Sequence, residues 1–354
     1  MNSPKDILSL KKMAAEEQPN WRNCMLNFKA GALPISLALL GALTSATFAA
    51  DYTARFSLDV REDNPKYRAA QIFAELVAEK TDGAVEIQLF PNSLLGGEAE
   101  SAEGMRIGSV HMGILTSSVL AQWVPQLQVL DLPFVFESDE HVMSVSEPLT
   151  EALKQNFTDN GFHLLGFTPN GGRSLISKTQ IADVADVAGK RMRVIQSPIH
   201  VALWEAAGAN PVPIPAPEIY NSMQTGVIDL FDNTASNYLT SRFFEVAPYY
   251  TPLSHIYAIG TWVVADSWVQ SLPEEHRAAL QEAALEAQAA YAPLLAEADA
   301  AALQATVEQG STIVEEFDRQ AWVDRLSPVR ERFAAEIPDA EPLLAIITEA
   351  TPAE

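Results

Sequence analysis

From Ser271 to Gln309 the sequence is dominated by Ala, Leu, Glu and Gln, and Pro293 interrupts it. Ser271-Leu272-Pro273-Glu274 reads as a capping box with proline just inside the first turn. A helix of roughly 37 residues, rising 1.5 Å per residue, reaches about 55 Å, which is longer than one domain is wide. Such a helix needs two bodies to lie across, and a kink at Pro293 lets it follow both. The alternative is two separate helices meeting at that proline. At 354 residues the chain is long enough to supply two cores.

The rest of the chain reads as two α/β sets. Ala54, Phe56 and Leu58 alternate with Arg55 and Ser57 in a strand over 54–60. Asn64-Pro65 opens a helix with an apolar stripe of Ala69, Ile72, Phe73, Leu76 and Val77, stopped at Thr81-Asp82-Gly83. Val85, Ile87 and Leu89 alternate in the next strand, and strand–helix–strand in so short a span builds parallel sheet. A turn over 91–98 leads to a helix over 98–107 and a strand over 110–115 that ends in Thr116. After an apolar run broken at Pro133 come a helix over 138–157 and a strand over 163–167. That strand closes at Asn170-Gly171-Gly172-Arg173, where the chain is expected to cross into the second body. There the pattern gives strands over 191–195, 211–214 and 227–231, with helices over 197–207 and 218–225. The return crossing is expected near Gly260, with a strand over 262–265. The tail reads as a strand over 313–317 and a helix over 321–335.

The N-terminus points to export. Arg22 and Lys29 precede an apolar run from Ala30 to Leu43, and small residues follow, ending Thr47-Phe48-Ala49-Ala50. This is the layout of a secretory signal peptide cut near Ala49-Ala50, and the run falls short of the about 20 residues that span a bilayer. Met25 is an alternative start of translation. The single cysteine, Cys24, lies upstream of the apolar run, so it leaves with the signal, and the exported protein has no thiol chemistry. The net charge of −23 excludes a nucleic-acid partner, which needs Lys/Arg patches.

Catalytic signatures are missing. The six histidines lack metal spacing, and no nucleophile elbow, phosphate loop or dinucleotide fingerprint occurs, so neither an enzyme nor a cofactor is expected. Arg193 differs from the other charged residues. It sits between Met192 and Val194 on a buried strand, where an unpaired guanidinium is costly. It is either a structural ion pair with a neighbour such as Asp232 or a bidentate clamp on a ligand carboxylate. Arg173, after the double glycine, is a second clamp candidate or a surface salt bridge. Asn233, at a strand end, could brace the same carboxylate or cap the following helix. Strand ends of this kind are where open α/β sheets bind ligands.

Several segments in order carry a family resemblance: Glu75 to Gly83, Phe90-Pro91-Asn92-Ser93 through Leu95-Gly96, and Leu130-Asp131-Leu132-Pro133-Phe134. Gly172-Arg173, Gly189 to Val194, Gly208-Ala209 with Pro211, Glu218-Ile219-Tyr220 and Gln224 to Asp229 continue it. The chain resembles the DctP-type solute-binding proteins of tripartite ATP-independent periplasmic (TRAP) transporters. The resemblance implies a two-lobed α/β fold like that of periplasmic binding proteins, with the long kinked helix spanning both lobes. Residues 50–170 with 259–298 would form one lobe and 171–258 with 299–354 the other, after an extension and signal over 1–49. It implies a periplasmic monomer that captures a small carboxylate by cleft closure and delivers it to the small and large membrane permease subunits. Arg193 would bind the carboxylate, with Arg173 and Asn233 completing the clamp. Asp59 and Thr116 would face the ligand from the first lobe, and Gln196 and Asp232 from the second. Where the family usually reads D-G-x-E-N-P this chain has Asp229-Leu230-Phe231-Asp232-Asn233-Thr234, without the glycine and the proline, and Phe231 is either an aromatic pocket wall or core. Ala216 replaces a ring that stacks on sugars in some acid-sugar binders. Asp59 would repel a second carboxylate, which favours a sugar acid or other hydroxylated acid over a C4-dicarboxylate. The alternatives are a ligand-responsive partner of a membrane sensor and an exported enzyme.

Overall fold

The computed structural model describes residues 50–350, so the signal-peptide reading lies outside the described residues. The first half runs β1 (Tyr52–Ser57), α1 (Pro65–Lys80), β2 (Val85–Phe90), α2 (Glu98–Arg106), β3 (Met112–Thr116), α3 (Ser117–Leu120), a 3-10 turn (Pro125–Asp131), α4 (Asp139–Asp159) and β4 (Phe162–Ser177). Then come β5 (Arg191–Val194), α5 (Pro198–Ala207), β6 (Asn210–Pro213), α6 (Ile219–Thr225), β7 (Leu230–Asn233), α7 (Ala235–Thr240) and β8 (Tyr249–Ala265). The chain closes with α8 (Asp266–Val269), α9 (Glu274–Glu308), β9 (Thr312–Ile313), α10 (Arg319–Glu336) and α11 (Ala340–Glu349).

The strands join in the order β2-β1-β3-β8-β4-β7-β5-β6, with β9 beside β8. β1 pairs parallel with β2 and β3, and β5 pairs parallel with β6 and β7. The long antiparallel pair β4 and β8 joins the two sets. β3 pairs with Gly260–Val264 of β8, whereas β7 pairs with Ser174–Ser177 of β4. Between those contacts, Pro169–Arg173 and Ile256–Ile259 pair only with each other, and the register shifts on both sides of Gly171-Gly172-Arg173.

Here the expected strand ends are corrected. The first long strand does not stop at Phe167 but runs to Ser177, and the strand expected over 262–265 begins at Tyr249. Gly171, at φ +99°, makes a bulge within a continuous strand rather than a loop. β8 shows no clean alternation because most of its residues are buried whichever way they point.

α9 is one helix through Pro293, which removes the two-helix alternative. The capping box does not form: Pro273 is the N-cap, and Ser271 Oγ donates to Trp268 O at 2.6 Å instead. Ala283, Ala284, Ala287, Tyr291 and Leu295 of α9 belong to a cluster with Phe56, Phe73 and Trp262. Those three rings meet edge to face. Further along, Ala302 joins a second cluster around Ile176, Phe231, Tyr238 and Tyr250. Small α9 side chains thus let one helix lie close against both strand sets. A third cluster gathers α4, α5, α10 and α11. α11 was not foreseen; its Ile347 carbonyl lies 2.9 Å from His141 Nε2 of α4. The expected tail strand shrinks to Thr312–Ile313.

Candidate ligand-binding site

A cavity of about 300 Å³ opens where strand ends from both sets meet. Asp59 follows β1, Thr116 ends β3, Arg193 lies near the end of β5 and Asn233 ends β7, and all four line it, as do Arg173 and Gln196. Six of the eight residues expected at the site are therefore brought together.

Arg193 is 4% exposed. Its Nε donates to the Ile214 carbonyl at 2.7 Å, and among the described residues no carboxylate pairs with it. Burial, and then the neighbouring Arg173, push the guanidinium down to about 10, which still leaves it charged at neutral pH. The ion pair with Asp232, one of two readings for Arg193, is made by Arg173 instead. Arg173 Nε donates to Asp232 Oδ2 and Nη2 to Oδ1, both at 2.8 Å, and Nη2 also reaches the Asp232 carbonyl at 2.6 Å. The pair is buried, so Arg173 is not a surface salt bridge.

His255 extends this pair, with Nε2 3.1 Å from Asp232 Oδ2. Burial lowers the imidazole despite that contact, so it is neutral, and a carboxylate acceptor places its proton on Nε2. Burial alone would raise the Asp232 carboxyl. Arg173 and the His255 hydrogen bond outweigh it and hold the group well below the usual carboxylate range.

Asn233 is held by its oxygen. Oδ1 accepts from Thr234 N at 2.9 Å and from Asn237 Nδ2 at 3.0 Å, and Nδ2 has no acceptor among the described residues. It does not cap α7; Asp299 Oδ1 of α9 accepts from Ser236 N there. The amide donor of Asn233 is therefore available to the cavity.

Two expected site residues do not reach the cavity. Asp232 points from the other side of β7 into the arginine and histidine, as strand alternation requires. Phe231 shares the side of Asn233 but stands two residues deeper, fully buried. Phe243 packs on it edge to face with ring centroids 4.9 Å apart, and it is Phe243 that lines the cavity.

The first strand set adds residues that sequence reasoning missed. Lys66, 4% exposed in the first turn of α1, places Nζ 3.1 Å from Asp59 Oδ1. Glu98 begins α2, and its Oε1 accepts from Thr116 N at 2.7 Å and Thr116 Oγ1 at 2.9 Å. Burial, reinforced by Asp59, pushes Glu98 up to about 7 although Lys66 and the Thr116 hydrogen bonds oppose it. Asn64 caps α1 by accepting from Lys66 N at 2.9 Å. Its Nδ2 crosses to α7, donating to Asn237 Oδ1 at 2.9 Å and Thr240 Oγ1 at 3.3 Å. A chain Asn64–Asn237–Asn233 thus links the first strand set to the cavity wall of the second.

A buried free guanidinium, an amide donor and a small polar cavity between two strand sets suit capture of an organic anion. Residues 56–336 match the family described as bacterial extracellular solute-binding protein, family 7. The chain belongs to that family. The C4-dicarboxylate-binding periplasmic protein DctP of Rhodobacter capsulatus is 31% identical over 324 residues, 89% of this chain and 96% of the relative. The 2,3-diketo-L-gulonate-binding periplasmic protein YiaO of Escherichia coli K12 is 28% identical over 316 residues, 88% of this chain and 96% of the relative. A solved TRAP periplasmic solute-binding protein from Chromohalobacter salexigens with bound D-glucuronate superposes with a TM-score of 0.80 at 29% identity. It covers 84% of this chain and all of its own. The family consists of solute-binding transport proteins, not enzymes, and YiaO and DctP are periplasmic.

Proposed function

We infer that this family 7 protein captures a hydroxylated monocarboxylic acid of the sugar-acid class between two lobes and presents it to TRAP permease subunits in the membrane. The observation that carries this reading is Arg193: a buried, charged guanidinium lining a cavity with one backbone acceptor and no carboxylate partner among the described residues. A planar carboxylate matches its free fork. Asn233 Nδ2 supplies a second donor, and Gln196 stands exposed on the cavity wall to receive hydroxyls. Arg173 acts mainly by holding Asp232 and keeping a second positive charge near the clamp.

The other wall supports hydroxyls rather than a second carboxylate. Asp59 is a carboxylate, and Thr116 has its hydroxyl committed to Glu98. The glucuronate-bound structure and YiaO agree with this choice, while DctP of Rhodobacter capsulatus represents the competing ligand class. Ala216 lines the cavity and offers no ring to stack on.

Lobe I consists of residues 50–170 with 259–298, and lobe II of 171–258 with 299–354. The waist where β4 and β8 pair only with each other supports this division, with α11 reaching back onto α4. The protein works as an exported monomer after cleavage near Ala49-Ala50. The test is a thermal-shift screen of the mature protein with D-glucuronate, D-galacturonate and succinate. A sugar acid should raise the midpoint, because a ligand bound only by the native state stabilises it. A shift with succinate and none with either sugar acid would refute the ligand class.

A further inference from the structure

Four charged side chains on the first-lobe wall share the cavity with Arg193: Asp59, Arg61, Lys66 and Glu98. Arg61 is exposed at the rim, with Nε 3.5 Å from Asp63 Oδ1, so the inner part of the wall is set by the other three. At that inner part, two carboxylates and one ammonium leave one negative charge in excess, while Arg61 faces Asp63. Lys66 is directed to Asp59 Oδ1, and Thr116 donates twice to Glu98 Oε1. Glu98 Oε2 has no protein donor among the described residues, so the cavity meets an acceptor. A hydroxyl satisfies such an oxygen by donating to it, whereas a carboxylate can only repel it.

We propose that Glu98 is the specificity-determining residue of the site: its free oxygen accepts a hydroxyl of a monocarboxylic sugar acid, excludes a diacid of the same carbon length, and relaxes that exclusion when it takes up a proton. This rests on Arg193 holding the ligand carboxylate, so that the other end of the ligand falls against the first lobe. The charged groups facing Glu98 are Asp59 from the turn after β1, Lys66 from α1, Arg173 from β4 and Arg193 from β5, and Arg61 of the same turn lines the cavity farther out, turned to Asp63. Lys66 does not cancel the exclusion, because Asp59 already holds it. Protonated Glu98 becomes a donor, and the inner group of Asp59, Lys66 and Glu98 becomes neutral. Its burial and the nearness of Asp59 place that change close to neutral pH, at about 7. Sugar carboxylates ionise far lower, at roughly 3 to 4, so the ligands themselves stay charged throughout.

The test is calorimetry of the mature protein with D-glucuronate and with D-glucarate, its diacid counterpart, at pH 8 and pH 5.5, for the wild type and Glu98→Gln. This substitution keeps the shape of the side chain: the amide oxygen it introduces can accept both Thr116 hydrogen bonds, and melting curves check the fold. Wild type should bind glucarate at least ten-fold more weakly than glucuronate at pH 8, with the ratio shrinking at least three-fold at pH 5.5. Glu98→Gln should show the smaller ratio at both pH values. Glucuronate closes into a ring and glucarate does not, but that difference is common to both proteins, so the ratio of ratios isolates Glu98. An unchanged, pH-independent ratio with glucuronate still bound would overturn the role of Glu98 and leave the sugar-acid reading standing. Failure of wild type to bind either acid would overturn both.

Discussion

Asp232→Ala tests the buried scaffold behind the clamp. In the native protein Asp232 is fully buried and Arg173 is 4% exposed, joined by two carboxylate hydrogen bonds at 2.8 Å. Alanine leaves the 2.6 Å bond to the backbone carbonyl but strands a buried guanidinium and removes the acceptor of His255. Breaking a buried pair from one side costs about 3–5 kcal/mol. The orphaned imidazole N–H adds about 1–3 kcal/mol, less than additively because the groups form one network. A loss of about 4 kcal/mol is a large share of a total stability on the order of 5–15 kcal/mol. Urea denaturation at pH 7.5, followed by tryptophan fluorescence, measures it; Trp204 packs edge to face on His255 at 5.2 Å and reports on the site. The variant also leaves Arg173 and Arg193 both without a carboxylate, so a ligand carboxylate should raise its midpoint more than that of wild type. A loss below about 1 kcal/mol would mean that the buried pair is worth no more than a surface contact and does not brace the site. The sign with pH is fixed as well. A carboxyl held below its unfolded value contributes in full above about pH 4 and is lost only as pH falls through its folded value.

Asn64→Ser keeps a cap on α1 but cannot reach α7; ligand dissociation measured by stopped flow should quicken about five-fold, the worth of roughly one net hydrogen bond, and an unchanged rate would remove the bridge from the closed state. Asp139 is pushed up to about 7 by burial and then by Asp299, so between roughly pH 4 and 7 the folded protein holds a proton that the unfolded chain has released. Stability should therefore fall as pH rises across that window, and Asp139→Asn should flatten melting midpoints recorded at pH 5 and 7.5; an equally steep fall would exclude this residue. Gly166→Ala should cost about 2 kcal/mol or more in urea denaturation, because its φ is +145° and a Cβ would lie 2.6 Å from buried Gln288; a neutral outcome would show that Gln288 can move aside.

Local chemistry made much of the architecture legible. Asn64-Pro65 predicted the start of α1, and the side chain of Asn64 does cap it. The length of the Ala/Leu/Glu run predicted a bridging helix, and its alanines are what allow close packing on both clusters. The Gly171-Gly172 pair was misread because a bulge and a loop both call for the same backbone freedom; only the pairing with β8 distinguishes them. At the site, strand ends put Arg193 and Asn233 beside each other, and both line the cavity. Asp232 and Phe231 lie off the cavity, because adjacency in sequence does not say how deep a side chain sits or which face it takes. Lys66 and Glu98 carried no signal of their own. Each is an ordinary first-turn residue of a helix, and only the packing of α1, α2 and β3 brings them together.

Whether Arg193 grips the ligand carboxylate is read from calorimetry of D-glucuronate binding to wild type and Arg193→Ala. The expected result is a loss of at least about ten-fold in affinity, with Arg193→Lys also weakened because one ammonium cannot reproduce the fork. Affinity in Arg193→Ala within about two-fold of wild type would contradict the assignment, since a buried charge-assisted pair cannot be lost so cheaply.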